Sequence, residues 1–153
     1  MNRICKCFTV CVAIVVLGLW TVSALSKSPS DVTTITVYKT PTCGCCTKWV
    51  NHLREQGFQV TAHDISDLTP IKKKYGVPNV LTACHTAIVD GYVVEGHVPA
   101  DVILRLLKER PKVLGITVPG MPMGSPGMEG AYSEPYDVLT FDKDGKTQVY
   151  TSH

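Results

Sequence analysis

"TTITVYKTPTCGCCTKWVNHLREQGFQV", residues 33–60, passes from one hydrophobic period to another and back. Ile35 and Val37 alternate with threonines in a β-branched run, which reads as a strand. "KTPTCGCC" is a turn carrying Pro41 and Gly44. From Cys45 or Cys46 to Gln56 the spacing predicts a helix. Trp49, Val50 and Leu53 form its apolar stripe, Lys48 and Arg54 face water, and Gly57 stops it. "FQVTAHDI", residues 58–65, is a second strand. The strand–helix–strand order sets Cys43, Cys45 and Cys46 between the first strand and the first helix.

Further along, Ser66 or Asp67 can cap a short helix over Leu68–Tyr75, with Pro70 in its first turn and Gly76 at its end. "TAIV" and "YVVEG" flank Asp90-Gly91, a strong hairpin signal. Pro99 opens a helix through Glu109 that buries Val102, Ile103, Leu106 and Leu107, and Pro111 stops it. The βαβαββα order predicts an α/β fold, thioredoxin-like, with a small mixed sheet and helices on both faces. Residues 113–153 add a C-terminal Met/Gly/Pro loop and a hairpin. "GITVPGMPMGSPGMEG", 115–130, is too rich in breakers for a helix or strand. "YDVLTFDKDGKTQVY", 136–150, reads as a hairpin around Asp144-Gly145. "GMPMGSPG" lacks the strand–loop–helix context of a phosphate-binding loop.

The thiols carry the chemistry. Cys43 and Cys46 form C-x-x-C at a helix N-terminus, where free amides and the helix dipole favour a thiolate. Cys45 adds a third sulfur, one more than a plain redox motif needs. Thiolates select soft metals such as Cu(I) and Zn. Cys84 enters the third strand, so the predicted fold turns it toward Cys43–Cys46, with His85 beside it to supply imidazole or a proton. Three chemistries remain open. One is a soft-metal site, including a four-cysteine Zn site. Another is a redox pair at Cys43 and Cys46. The third is structural disulfide stapling, which the crowding suits poorly because a Cys43–Cys45 ring would be strained.

The secondary ligand candidates are Met121, Met123 and Met128, whose thioethers are soft donors but which otherwise fill packing gaps. His97 follows the hairpin and can approach from the same end as Cys84, although His85 is the stronger expectation. His52 and His63 read as surface or structural residues, Lys72-Lys73-Lys74 as a solvated helix face, and Trp49 as core. His153 is terminal and carries no reading.

The N-terminus is an address. Arg3 and Lys6 precede an uncharged apolar run from Phe8 to Trp20, and Ala24 and Ser26 supply small residues before a cut. Residues 1–26 thus read as a secretory signal peptide, 27–32 as a tether and 33–153 as the domain. The rival is an uncleaved anchor from Cys7 to Leu25, of about the ~20 residues that span a bilayer. Cys5, Cys7 and Cys11 leave with the leader, and an exported domain meets an oxidising compartment. The whole chain of 153 residues has a formal charge of +2. Without Arg3 and Lys6 the remaining Lys and Arg equal the 13 acids, so the domain is formally neutral. That excludes a phosphate-neutralising nucleic-acid surface. Membrane contact is expected only if the anchor stays uncut.

"YKTPTCGCCTKWVNHL", "GVPNVLTACHTAIVDGYVVEGHVPADVILRLL" and "VPGMPMGSPGME" together resemble the exported, metal-binding, thioredoxin-like copper-resistance CopG family, long labelled only a domain of unknown function. The likeness spans about residues 33–150. It implies a periplasmic protein holding one or several Cu(I) ions through Cys43, Cys45, Cys46 and Cys84, with copper itself and other periplasmic copper-handling proteins as partners. It also implies a Cu(I)/Cu(II) interconversion. The alternatives are an exported thiol–disulfide oxidoreductase using Cys43 and Cys46, or a Zn-stabilised interaction module.

Overall fold

The computed structural model describes residues 32–153. The leader at 1–26, the alternative anchor and the tether up to residue 31 lie outside the described residues. Among the described residues, no helix is long and apolar enough to cross a membrane.

Among the described residues the expected α/β architecture is present as one mixed sheet of seven strands with three helices. Strand β1 (Thr34–Lys39) leads into α1 (Gly44–Glu55) and β2 (Gln59–Asp64). Helix α2 (Thr69–Lys74) and a 3₁₀ turn (Asn79–Leu81) precede the hairpin of β3 (His85–Val89) and β4 (Tyr92–Glu95). Helix α3 (Ala100–Glu109), β5 (Gly115–Thr117), β6 (Asp137–Phe141) and β7 (Thr147–Ser152) follow. The strand order is β2-β1-β3-β4-β5-β6-β7. The β1/β2 and β4/β5 pairs are parallel and the others antiparallel.

Register assigns the faces. Val37 pairs with Ala87, Ala87 with Val94, and Val94 with Ile116, so one apolar row crosses four strands. Helices α1 and α3 cover this row. Cys46, Trp49, Val50 and Leu53 recur at helical spacing on α1 and are buried. Val102, Ile103 and Leu106 do the same on α3, and both stripes join one core with Ile35, Val37 and Val94. The opposite face carries a smaller cluster of Val77, Leu81, Val93 and Phe141 under the segment that follows α2. Helix-side material therefore packs on both faces, as expected.

The 115–130 run is not loop throughout. Gly115–Thr117 is a strand despite the breakers around it, and it joins the hairpin to the main sheet. Gly115 permits this because a Cβ there would meet the Val93 carbonyl oxygen at 2.1 Å. The C-terminal hairpin thus extends the sheet instead of standing beside it. The first helix also begins one or two residues earlier than predicted, at Gly44.

Candidate metal centre

Local sequence places the first three sulfurs. Cys43 is the N-cap of α1, and its Sγ accepts the Cys46 backbone N–H at 3.3 Å. A sulfur here does what a serine or aspartate oxygen does at other helix starts, satisfying one free amide. Cys46, within the first turn, is fully buried, whereas Cys43 and Cys45 are half-buried. Cys43 and Cys46 are joined by a disulfide, with Cα atoms 5.4 Å apart, while Cys45 and Cys84 are free. Cys45 Sγ lies 3.4 Å from Cys43 Sγ.

The β3/β4 hairpin supplies the remainder. Cys84 stands immediately before β3, and its carbonyl oxygen lies 3.7 Å from Cys46 Sγ. The ligand atoms of Cys43, Cys45, Cys46 and Cys84 all lie within 4.8 Å of one another. A second group, Cys46, Cys84, His85 and His97, meets the same limit and shares two sulfurs with the first. His97 Nε2 is 3.3 Å from Cys84 Sγ, and His85 Nδ1 is 3.5 Å from it. His97 Nδ1 lies 2.8 Å from the Pro126 carbonyl oxygen. A carbonyl only accepts, so Nδ1 carries the hydrogen and the Nε2 lone pair faces the thiol.

His85 is fully buried, with its ring centroid 4.2 Å from that of Trp49. Its Nε2 has no hydrogen-bond partner. Burial, then the neighbouring His97 and Lys72 charges, holds its pKa well below the usual histidine range. Burial likewise lowers that of His97. Both rings are therefore neutral at pH 7, the form that binds metals. Burial, followed by the repulsion of Cys45, pushes the Cys84 thiol up to about 12. Without a cation Cys84 keeps its proton, and a soft cation would displace it. The donor set of thiols and neutral imidazoles with one orphaned ring nitrogen fits a soft or borderline metal, not Mg or Ca.

The methionine loop reaches this centre. A Cβ on Gly127 would meet the Cys45 carbonyl oxygen at 2.7 Å and Trp49 N at 2.9 Å, so the loop backbone lies directly on the start of α1. Met121, Met123 and Met128 flank that contact and are half-buried. His52, on α1, instead accepts the Ala100 N–H at the start of α3 at 3.3 Å, and His63 stacks on Tyr38.

One sequence expectation is overturned. Lys72 is not simply part of a solvated face: its side chain is 13% exposed and pairs with Glu95, which is fully buried. Glu95 also accepts the Ala83 N–H at 2.6 Å and the Thr86 hydroxyl at 2.8 Å. Sequence reasoning passed over Glu95. The available signal was an acid closing the apolar run of a hairpin strand, which requires a partner once it is buried.

Two solved structures, forms 1 and 2 of copper resistance protein CopG, are each 43% identical to this chain with a TM-score of 0.75. Each covers 80% of this chain, which in turn spans 99% of form 2 and 98% of form 1. The chain belongs to the CopG copper-resistance family. The profile described as a protein of unknown function, DUF411, matches residues 81–128. That window of the CopG-family chain holds Cys84, both site histidines and the three loop methionines, but not the CGCC turn. No curated protein matches.

Proposed function

We propose that this protein binds copper as Cu(I) in a thiolate–imidazole centre and contributes to copper resistance in the periplasm. The observation that carries the reading is the approach of four cysteine sulfurs, three from one turn and one from the distant segment that leads into β3, to within 4.8 Å of one another. Cys43, Cys45, Cys46 and Cys84 are the proposed ligands. His97 and His85 stand beside them, and Met121, Met123 and Met128 are soft donors in the covering loop. Bridging thiolates would let several cations share the site.

The Cys43–Cys46 disulfide makes the site redox-gated. Two of the four sulfurs are then bonded to each other, and their capacity to bind copper as thiolates is lost. Reduction to the dithiol restores them. Run in the other direction, the dithiol gives up two electrons and two protons: the electrons take two Cu(II) to Cu(I), the protons pass to solvent, and the disulfide closes. This is the proposed Cu(I)/Cu(II) interconversion, on a thioredoxin-like scaffold formed by β1–β4 and the three helices.

Anaerobic Cu(I) titration of the fully reduced protein, with X-ray absorption, tests the reading. Sulfur-dominated coordination with at least one copper per chain is expected, and no uptake would overturn it. The same disulfide favours a second reading, an exported thiol–disulfide oxidoreductase in which copper is incidental. Disulfide exchange by metal-free protein that Cu(I) fails to inhibit would favour that alternative. Export itself is tested by intact mass, with a mature chain starting near Lys27 expected.

A further inference from the structure

The Lys72–Glu95 pair has no part in the chemistry above, yet it is buried against the segment that carries Cys84. A buried ion pair is a poor source of stability, since apolar side chains of similar volume commonly do as well or better. Its connections suggest another use. Glu95 Oε1 accepts the Ala83 N–H at 2.6 Å and also binds the Lys72 ammonium. Oε2 accepts the Thr86 hydroxyl at 2.8 Å, and Lys72 donates to that hydroxyl at 2.9 Å. One carboxylate thus ties α2, the start of β3 and the end of β4 to the residue that precedes Cys84.

Cys84 needs such a tie. The β1/β3 ladder begins at Lys39–His85 and the β3/β4 ladder at Thr86–Glu95, so Cys84 lies beyond both. Its segment also faces open space. A groove of about 790 Å³ is lined by Thr82, Ala83 and Cys84 on one side and by α2 residues, including Thr69 and Lys73, on the other. An untied segment has room to move into it, which would carry the sulfur away from the CGCC turn.

We propose that Glu95, held by Lys72, is a positioning residue for Cys84: its carboxylate clamps the Ala83 amide and so keeps the Cys84 sulfur against Cys45 and Cys46. Its role in copper binding rests on the reading above, but its role in placing Cys84 does not. Lys72 holds the carboxylate in the geometry that the clamp needs and compensates its buried charge.

Two double variants separate clamp from charge. Lys72→Met with Glu95→Gln removes both charges but keeps an oxygen for the Ala83 N–H. Lys72→Met with Glu95→Leu removes both charges and the clamp. A third variant, Ala83→Pro, keeps both charged side chains but replaces the N–H by a ring carbon that pushes Oε1 off this segment. Thr82 has φ −65° and ψ 132°, the conformation favoured before proline.

The first readout needs no copper: the rate of alkylation of Cys84 in the reduced, metal-free protein, resolved by residue. The second is Cu(I) affinity by chelator competition, with the sulfur coordination number. Cys84 alkylation should rise at least about tenfold in the Leu double variant and in Ala83→Pro, with the Gln double variant near wild type. Copper affinity should fall by about tenfold or more in the same two proteins, within the range for lost supporting contacts at metal sites. Equal behaviour of the Gln and Leu double variants overturns the clamp, as does wild-type alkylation in Ala83→Pro. If the Leu double variant does not fold, Ala83→Pro against the Gln double variant decides alone. If the wild type takes up no Cu(I), the copper reading fails, while the alkylation contrast still decides the placement of Cys84.

Discussion

His97 Nε2 lies 3.3 Å from Cys84 Sγ across the mouth of the β3/β4 hairpin, and the other nitrogen of the same ring is held by the Pro126 carbonyl. The imidazole therefore couples the hairpin to the methionine loop with its orientation and tautomer set. Replacing His97 with alanine should lower Cu(I) affinity by about 10–100-fold, as loss of a ligand or its support does elsewhere. Chelator competition measures this. A variant that binds as wild type would remove His97 from the centre.

Cys84 should be a slow nucleophile without metal. Its thiol is pushed up to about 12, first by burial and then by Cys45. Only the thiolate reacts, so alkylation of Cys84 at pH 8.5 should run at least ~100-fold slower than that of an ordinary cysteine of pKa ~8.5. The rate should climb as pH rises toward 12. The sign for copper is the same. Binding must expel the Cys84 proton, so this residue alone should raise Cu(I) affinity by up to about tenfold per pH unit through the neutral range. A pH-independent affinity would mean that Cys84 does not ligate.

Gly127→Ala should damage both stability and the site. Gly127 has φ +88°, and an added Cβ would press on the Cys45 carbonyl oxygen and Trp49 N. Gly57 has a similar φ of +89° with nothing within 4 Å of an added Cβ. Gly57→Ala should cost only the left-handed penalty of about 1–2 kcal/mol, and Gly127→Ala about 1–3 kcal/mol more from overpacking. Urea denaturation of the two variants measures the difference. Equal losses would mean that the loop yields without strain.

Lys72→Ala should be far more harmful than Arg105→Ala. Removing Lys72 leaves the fully buried Glu95 carboxylate without its counter-charge, a loss of about 3–5 kcal/mol. The Arg105–Glu109 pair is exposed on α3, and its loss should fall within the scatter of a thermal melt. Comparable effects would show that the Lys72–Glu95 pair is better solvated than its burial indicates.

Periodicity made most of the elements legible. Ile35 and Val37 marked β1, the Trp49–Leu53 stripe marked α1, and Asp90-Gly91 marked the β3/β4 turn. β5 was hidden because three residues in a glycine- and proline-rich run show no period, and its pairing depends on how close Gly115 comes to Val93. The site was partly readable too. Continuing the β3/β4 register two residues past Thr86–Glu95 sets Cys84 opposite His97, so the hairpin turn already contained that relationship. Lys72 was misread because a lysine in a run of three looks solvated until its partner on another element is known.

The sequence by itself determined the soft-donor chemistry, since three thiols in four residues at a helix start are a local fact that no packing can alter. It also determined that a fourth thiol would enter the third strand, and the family likeness to copper-resistance proteins. Beyond the Cys84–His97 pairing of the hairpin, tertiary structure decided which groups meet. The Pro126 carbonyl that orients His97, the orphaned nitrogen of His85 and the Glu95 carboxylate behind Ala83 are all brought in from other elements. Ligand type is a property of single side chains. Ligand placement is a property of distances across the sheet, which depend on register, on close approaches permitted by glycine, and on where buried charges find partners.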